Sequence, residues 1–258
     1  MRFKVFASAL WIGFCLFALS ACVSVEGLYV DPSFTYASIM ENNIGVGGVV
    51  SVPRDLTAAR QSAYANQVRA AIMQKYPGIN VMPSGDLTRA LSAPDYRRMM
   101  RYYRDYGVVQ DEYLKTAHRH IKRMRYVAFA RIVEDQISHN RTQEDPGPHT
   151  RGSVTMTTTL TMKVNMVVYD LNNDRMVWSG AVTESNENNN HYDMNAVYVG
   201  RHHRHDVDKQ IVASLANTAL QEMQERQYHY PSAPAANDLL NGIFSGLLTK
   251  FPVPPKQQ

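Results

Sequence analysis

The sequence predicts an α+β fold, in which a mixed β-sheet and helices follow the order β-α-β-α-α-β-β-β-α. Three observations predict it. First, an apolar, β-branched run precedes a helical pattern and a second short strand. Second, two amphipathic helices follow. Third, long segments in which apolar and polar residues alternate lead to a last helical pattern. The composition agrees, because 45% of the 258 residues are hydrophobic and 19% are charged, which excludes collagen-like and wholly disordered chains.

The predicted domain, residues 44–230, begins with a β-α-β unit. Residues 44–52 and 79–82 are strand candidates, and between them Asp55 is expected to cap a helix that ends at Gly78. Since this arrangement needs a right-handed crossover, the two strands should be parallel. The inward face of the helix is expected to hold Leu56, Ala59, Tyr64, Val68, Ala71, Ile72 and Tyr76.

Two amphipathic, basic helices are predicted next. The first begins at Pro94 and ends at Gly107, and the second covers residues 110–124. The segment 89–131 holds 11 Lys and Arg against 4 Asp and Glu, which is more asymmetry than solubility needs. Contact with an anionic surface is one explanation, and ordinary solvation of two helix faces is the other. The candidates for surface contact are Arg97, Arg98, Arg101 and Arg104.

Three strands and a helix complete the predicted domain. Residues 125–137 and 154–170 are long strands, and in the second apolar residues alternate with Thr, Lys and Asn, which predicts burial of one face only. Residues 172–174 are expected to form a tight turn, after which residues 175–183 return as the hairpin partner. A last long helix is predicted over residues 206–228.

The hairpin reads Tyr169-Asp170-Leu171-Asn172-Asn173-Asp174-Arg175-Met176-Val177-Trp178-Ser179-Gly180. Together with the element order, it resembles the fold shared by the curli secretion-channel lipoprotein, the amino-terminal domain of the translocation protein TolB and several small outer-membrane lipoproteins. The resemblance covers residues 44–228, and the turn departs from the family's usual Thr-Gly-Lys. It implies protein–protein work at the cell envelope without catalysis, in a family with diverse functions.

The first residues have the features of an export signal. Arg2 and Lys4 precede an uncharged apolar run of 15 residues, which is too short to cross a bilayer comfortably. The run ends in Leu19-Ser20-Ala21-Cys22, which resembles the lipobox of bacterial lipoproteins. In that family the Cys receives a diacylglycerol, the signal is removed, and the new amino terminus receives an N-acyl chain. Cys22 is therefore the predicted anchor and residues 1–21 the signal peptide; the alternative is a plain signal peptide cut elsewhere.

The expected location is the periplasmic face of the outer membrane. The inner-membrane retention signal of lipoproteins resembles an Asp after the Cys, whereas Val23 stands there in this chain. Without Arg2 and Lys4 the chain has 25 basic and 23 acidic residues, a balance of +2 that gives no nucleic-acid signature. Residues 22–43 are interpreted as a lipid-anchored tether between membrane and domain.

A His-rich loop precedes the last predicted helix. His202, His205 and Asp206 have side chains that suit zinc, copper or nickel, although a solvated loop with Asp206 near a helix amino terminus is the simpler explanation, because no cysteine and no second ligand pair accompany them. The sequence contains no Walker loop, nucleophile elbow or metalloprotease motif. We therefore expect no enzyme and no cofactor beyond the covalent diacylglycerol and N-acyl chain.

Residues 231–258 are interpreted as a Pro/Ala linker followed by an amphipathic helix. Because Gly242 and Gly246 weaken its helicity by about 1 kcal/mol each, this helix needs a surface to pack against. The bilayer, a neighbouring subunit and its own domain are the three choices. The residues assigned to this apolar contact are Leu240, Phe244 and Leu247.

These observations predict a non-enzymatic, lipid-anchored lipoprotein that binds or scaffolds another envelope protein, with a homo-oligomer as one form of assembly. Two alternatives stay open. A subunit of an oligomeric secretion channel needs further amphipathic hairpins that cross a bilayer, whereas the spare hairpin tip at residues 138–152 is polar. A metal-binding protein would use the loop at residues 202–205.

Overall fold

The computed structural model describes residues 24–144, 152–194 and 228–255. The strands are β1 (Glu26–Val30), β2 (Ile44–Ser51), β3 (Val81–Met82), β4 (Tyr126–Glu144), β5 (Gly152–Asp170) and β6 (Arg175–Met194). They form one mixed sheet in the order β1-β6-β5-β4-β2-β3. Strand β2 is parallel to β3 and β4, and the other neighbours are antiparallel, so the predicted α+β fold is confirmed.

Helices cover both faces of this sheet. Within the described residues they are α1 (Tyr36–Asn42), α2 (Ala58–Lys75), α3 (Ser84–Leu91), α4 (Ala93–Tyr106), α5 (Asp111–His120) and α6 (Ala236–Leu248). One core joins α1, α2 and α6 to side chains such as Val164 and Val168 of β5. A second core joins α3, α4 and α5 to Val167 and Tyr169. Because successive residues of a strand point to opposite faces, the two cores lie on opposite sides of the sheet.

The predicted β-α-β unit is present as β2, α2 and β3. Helix α2 begins at Ala58 because Thr57 caps it: the Thr57 hydroxyl accepts a hydrogen bond from the Arg60 backbone N–H at 3.3 Å. Asp55, the predicted cap, instead forms an ion pair with Arg104 at 2.5 Å. Of the predicted inward face, Tyr64, Val68, Ile72 and Tyr76 are buried, whereas Ala59 in the first turn is exposed.

Two glycines of β2 allow close packing of neighbouring side chains. A Cβ atom at Gly47 would lie 2.2 Å from the ring of Phe129, and one at Gly45 would lie 2.0 Å from the Met124 sulfur. The Tyr96 hydroxyl also donates a hydrogen bond to the Gly47 carbonyl at 2.8 Å. These glycines therefore serve the packing of β2 against β4 and α4.

The helical layer on the second face contains the two predicted basic helices and one that the sequence did not predict. Met99, Met100 and Tyr103 of α4 are buried, as the apolar spacing predicts. Helix α3 was missed because its eight residues bury only Leu87 and Leu91, too few to show a helical period.

The turn between β5 and β6 is held by one buried carboxylate. Asp170 is fully buried and accepts hydrogen bonds from Arg125 Nε and Nη2, the latter at 2.9 Å. It also accepts from the Asn172 backbone N–H at 2.9 Å and the Asn173 amide at 2.8 Å. Asp174 adopts the positive φ, +50°, that the turn requires. The hairpin motif of the sequence is thus explained by the structure of the turn itself.

Residues 24–43 are largely part of the domain, which corrects the interpretation of residues 22–43 as a tether. Strand β1 pairs with β6, and α1 starts with a capping box formed by Thr35 and Ser38. Phe34 and Ile39 are buried in the first core. The strand has five residues and the helix seven, so neither is long enough to produce a recognisable period.

Helix α6 packs on its own domain, against α2, β5 and β6. Leu240, Phe244 and Leu247 are buried in the first core, so they are not available for a membrane or a partner. Trp178 of β6 anchors the end of this segment, because its ring lies 4.6 Å from that of Phe251. The predicted helix over residues 206–228 lies outside the described residues, apart from its last residue.

Candidate interaction surface

The long strands β4, β5 and β6 continue beyond the helices as a three-stranded extension. We call this extension the arm: residues 138–144, 152–159 and 187–194. Strand β2 ends opposite Ile132, and β1 reaches no further along β6 than Ala181. In the described part of the chain, β4 and β6 therefore pair only with β5 in the arm, and each leaves one edge open.

One face of the arm is polar and well ordered by side-chain hydrogen bonds. The Thr157 hydroxyl donates to Asn189 at 2.6 Å, and the Thr155 hydroxyl lies 3.1 Å from His191 Nδ1. Thr159 continues the row along β5. These threonines have the same parity as Val167 in the second core, so this polar face is on the α3–α5 side of the sheet.

The opposite face of the arm is braced by the chain that leads into α6. The buried Thr158 hydroxyl donates to the Pro231 carbonyl at 2.8 Å, and Asn188 donates to the Ser232 carbonyl at 2.8 Å. The His139 and Tyr230 rings lie 4.6 Å apart. These contacts attach the arm to the chain segment that leads into α6.

The four predicted surface arginines do not form a uniform patch. Arg97, Arg98 and Arg101 are exposed on α4, and Arg98 pairs with Asp95 at 3.5 Å. Arg104 is engaged: its hydrogen bond to the Asp105 carboxylate, first among several contacts, raises the pKa of its guanidinium. The basic helices and α6 lie on opposite faces of the sheet. The exposed sides of the basic helices and of α6 therefore point in opposite directions. They cannot form one contact surface.

A cleft lies next to β1, where the end of α4 meets a part of the sheet that the described helices leave uncovered. It has a volume of about 310 Å³, and Gly107, Arg131, Lys163 and Asn165 are among its lining residues. The Arg131 Nε donates to the Arg104 carbonyl at 2.7 Å, and Lys163 Nζ lies 2.7 Å from a Glu26 carboxylate oxygen. The cleft thus brings two cations and the Glu26 carboxylate together at one end of the edge strand, and the carboxylate offsets the charge of Lys163.

The remaining predicted sites fall outside the described residues. These are the anchor Cys22 and the loop residues His202, His205 and Asp206. Across residues 24–144, 152–194 and 228–255, no group of three or more His, Cys, Asp or Glu side chains is placed to hold a metal ion. In the same part of the chain, no helix is both long and apolar enough to cross a bilayer.

The arm was not predicted from the sequence, because the predicted third strand of the hairpin ends at residue 183, whereas β6 continues to Met194. A signal was present: threonines still alternate with Val154 and Met156 at the start of β5, so a third strand of equal length was needed beside it. The asparagines at 186, 188, 189 and 190 concealed this strand, since Asn has a low strand propensity.

No protein-family model matches the chain, and no curated protein matches it. Among solved structures, it is similar to PelC from Paraburkholderia phytofirmans, a dodecamer, at 11% identity over 90% of this chain and 99% of that chain, with a TM-score of 0.34. Lipoprotein GNA1162 from Neisseria meningitidis matches at 14% identity over 69% and 97%, with a TM-score of 0.31. The LpoB C-terminal domain from Salmonella enterica matches at 10% identity over 60% and 87%, with a TM-score of 0.34. At these TM-scores the similarities carry no functional argument.

Proposed function

We propose that this protein is a non-enzymatic lipoprotein, anchored through Cys22 to the periplasmic face of the outer membrane, which binds another cell-envelope protein through the arm. The observation that supports the proposal most is the pair of strand edges that the described residues leave open on a braced extension of the sheet. The lipobox-like Leu19-Ser20-Ala21-Cys22 supports the anchor.

The open edges favour a protein partner because they present backbone N–H and C=O groups in strand geometry. A strand of another chain can pair with such groups, and the side chains beside them then determine specificity. On β6 the edge carries Asn188, Asn189 and Asn190, and on β4 it carries Ser138 and Asn140. Short polar side chains leave the backbone accessible without creating an aggregation-prone apolar edge.

The partner site is tested by photo-crosslinking in intact cells. A photoreactive amino acid replaces Asn189 on the β6 edge or Asn140 on the β4 edge, and the matched control replaces exposed Arg119 on α5. We expect adducts from at least one arm position and none from the control. Adducts with a second copy of this chain would replace the heterologous partner with a homo-oligomer. Absence of adducts at both arm positions would contradict the proposal.

The anchor is tested separately by labelling cells with a radioactive fatty acid. We expect the wild-type protein to take up label and Cys22→Ser to take up none, because the only other cysteine, Cys15, lies inside the apolar run of the signal. Label retained on Cys22→Ser would contradict the anchor while leaving the crosslinking result valid.

A further inference from the structure

Strand β1 exposes three consecutive large apolar side chains at an edge of the sheet. Leu28, Tyr29 and Val30 are exposed by 45%, 44% and 41%. In the described part of the chain, β1 pairs with β6 on one side and with no strand on the other. Most other exposed large apolar residues, such as Met73 on α2 and Val253 after α6, lie singly. A continuous exposed apolar edge usually marks a contact surface.

The length of chain before β1 favours the bilayer as the occupant of this edge. Glu26 is only four residues after Cys22, so their Cα atoms lie within about 14 Å even if the chain between them is fully extended. The interfacial region of one leaflet is itself about 5–7 Å thick. A lipid on Cys22 therefore keeps the beginning of β1 close to the headgroups.

The chemistry next to β1 also fits a phospholipid surface. Lys163 Nζ is 2.7 Å from the Glu26 carboxylate, and Arg131 lines the same cleft. Cations next to exposed apolar groups are the combination that binds headgroup phosphates and the outer acyl region together. The Tyr29 side chain has the amphipathic character typical of the membrane interface.

We propose that the β1 edge is a membrane-contact surface, in which Leu28, Tyr29 and Val30 enter the bilayer interface and Lys163 and Arg131 face lipid phosphates. This proposal rests on the lipid anchor of the proposed function. It adds an orientation: the domain lies with its β1 edge on the membrane instead of hanging freely from a long tether.

The test measures how deeply single sites lie in the membrane. The acylated mature protein is reconstituted in vesicles of phosphatidylethanolamine and phosphatidylglycerol. A nitroxide is attached to a cysteine introduced by Leu28→Cys or Val30→Cys. The controls are Met73→Cys and Val253→Cys, whose side chains are exposed by 44% and 60% in the wild type. Each new cysteine is the only free thiol once Cys22 is acylated and the signal removed.

The measured quantity is the ratio of nitroxide collisions with oxygen to collisions with an aqueous nickel chelate. We expect this ratio to be several-fold higher at positions 28 and 30 than at the two control positions. Equal accessibility at all four positions would overturn the proposal. Dipolar broadening between nitroxides at position 28 would show that a second copy of this chain, and not the bilayer, contacts the β1 edge, and would overturn the proposal. The mass of the peptide containing Cys22 reports acylation, so a missing anchor is distinguished from a missing contact.

The role of the cations is measured with Lys163→Gln and the matched control Lys115→Gln on the exposed face of α5. The attraction of one lysine to an anionic surface corresponds to about a fivefold change in an equilibrium constant. We therefore expect Lys163→Gln to lower the ratio of membrane-immersed to aqueous nitroxide at position 28 by about fivefold at low salt. Lys115→Gln should leave this ratio unchanged. Identical ratios for both variants would overturn the assignment of Lys163 to lipid phosphates.

Discussion

The base and the arm of the three long strands have the same alternating pattern and different surroundings. We define the base as residues 126–132, 164–170 and 175–182, where helices pack on both faces of β4 and β5 and on the first-core face of β6. In the base, Val164 and Val168 enter one core while Val167 and Tyr169 enter the other. In the arm, no helix of the described residues covers the threonines at the same parity as Val167, and Thr157 and Thr155 instead form hydrogen bonds with Asn189 and His191 of β6.

This difference separates stability from recognition in one set of strands. The base removes apolar side chains from water on both faces and is expected to supply most of the folding free energy. The arm has a polar face and two edges that no described strand covers, so substitutions there should change binding more than stability. The following predictions test this division, beginning with the largest effect.

The first prediction compares the same change in the base and in the arm. Val164→Asp places a carboxylate in the first core opposite Ile132 and Val182, and should lower the free energy of unfolding by at least about 3 kcal/mol. Thr159→Asp, on the polar face of the arm, should cost under about 1 kcal/mol. Denaturant unfolding of both variants measures the difference. Similar losses would show that the arm is packed as tightly as the base.

The second prediction concerns what covers the base. Phe244→Ala leaves a cavity between α6 and the sheet and should cost about 3 kcal/mol. Tyr230→Ala removes the ring that packs on His139 of the arm and should lower the free energy of unfolding by under about 1 kcal/mol. Calorimetric melting of the two variants gives the comparison. A negligible effect of Phe244→Ala would mean that α6 does not stay docked on the domain.

The smallest effect is expected at Glu184, between base and arm. Burial raises the pKa of its carboxyl above the ordinary value of 4.5, and α6 crowds it, since a Cβ at Gly242 would lie 2.7 Å from Glu184 Oε2. A carboxyl with a raised pKa in the folded state binds its proton more tightly there than in the unfolded state. Stability is therefore lost as pH rises from about 4.5 through the raised pKa.

Glu184→Gln should accordingly be more stable than the wild type at neutral pH, and this advantage should shrink as the pH falls toward 4.5. The control Glu187→Gln, an exposed carboxylate on the polar face of the arm, should show no such trend. Melting temperatures over a pH series measure it. A difference between Glu184→Gln and the wild type that stays constant over the pH series would contradict the raised pKa of the Glu184 carboxyl.

Sequence reasoning succeeded where the signal is local and periodic. The alternation of Met162, Val164 and Met166 predicts which face of β5 is buried, and the spacing of Met99, Met100 and Tyr103 predicts the inner face of α4. It failed for β1, α1 and α3, since five to eight residues do not show a period. The arm was missed because its strand pairing depends on β5, a neighbour distant in sequence.

In the candidate surfaces too, features with a local pattern could be predicted from the sequence, and contacts between distant residues could not. The exposed position of Arg97, Arg98 and Arg101 could be predicted, because an amphipathic helix must turn its charges outward. The ion pair of Arg104 with Asp55 joins residues far apart in the chain, so no local pattern indicates it. The cleft near Lys163 likewise gathers residues from β1, β4, β5 and β6.

The sequence by itself determined the periods: which strands alternate, which helices are amphipathic, and that the tail around Leu240 and Phe244 must bury an apolar side. Only the tertiary structure decided the partner of each apolar side. It placed the tail on α2 and β6 and left the apolar edge of β1 uncovered in the described chain. The physical reason is that periodicity reports how much apolar surface a segment must remove from water, whereas the surface that covers it comes from residues distant in sequence.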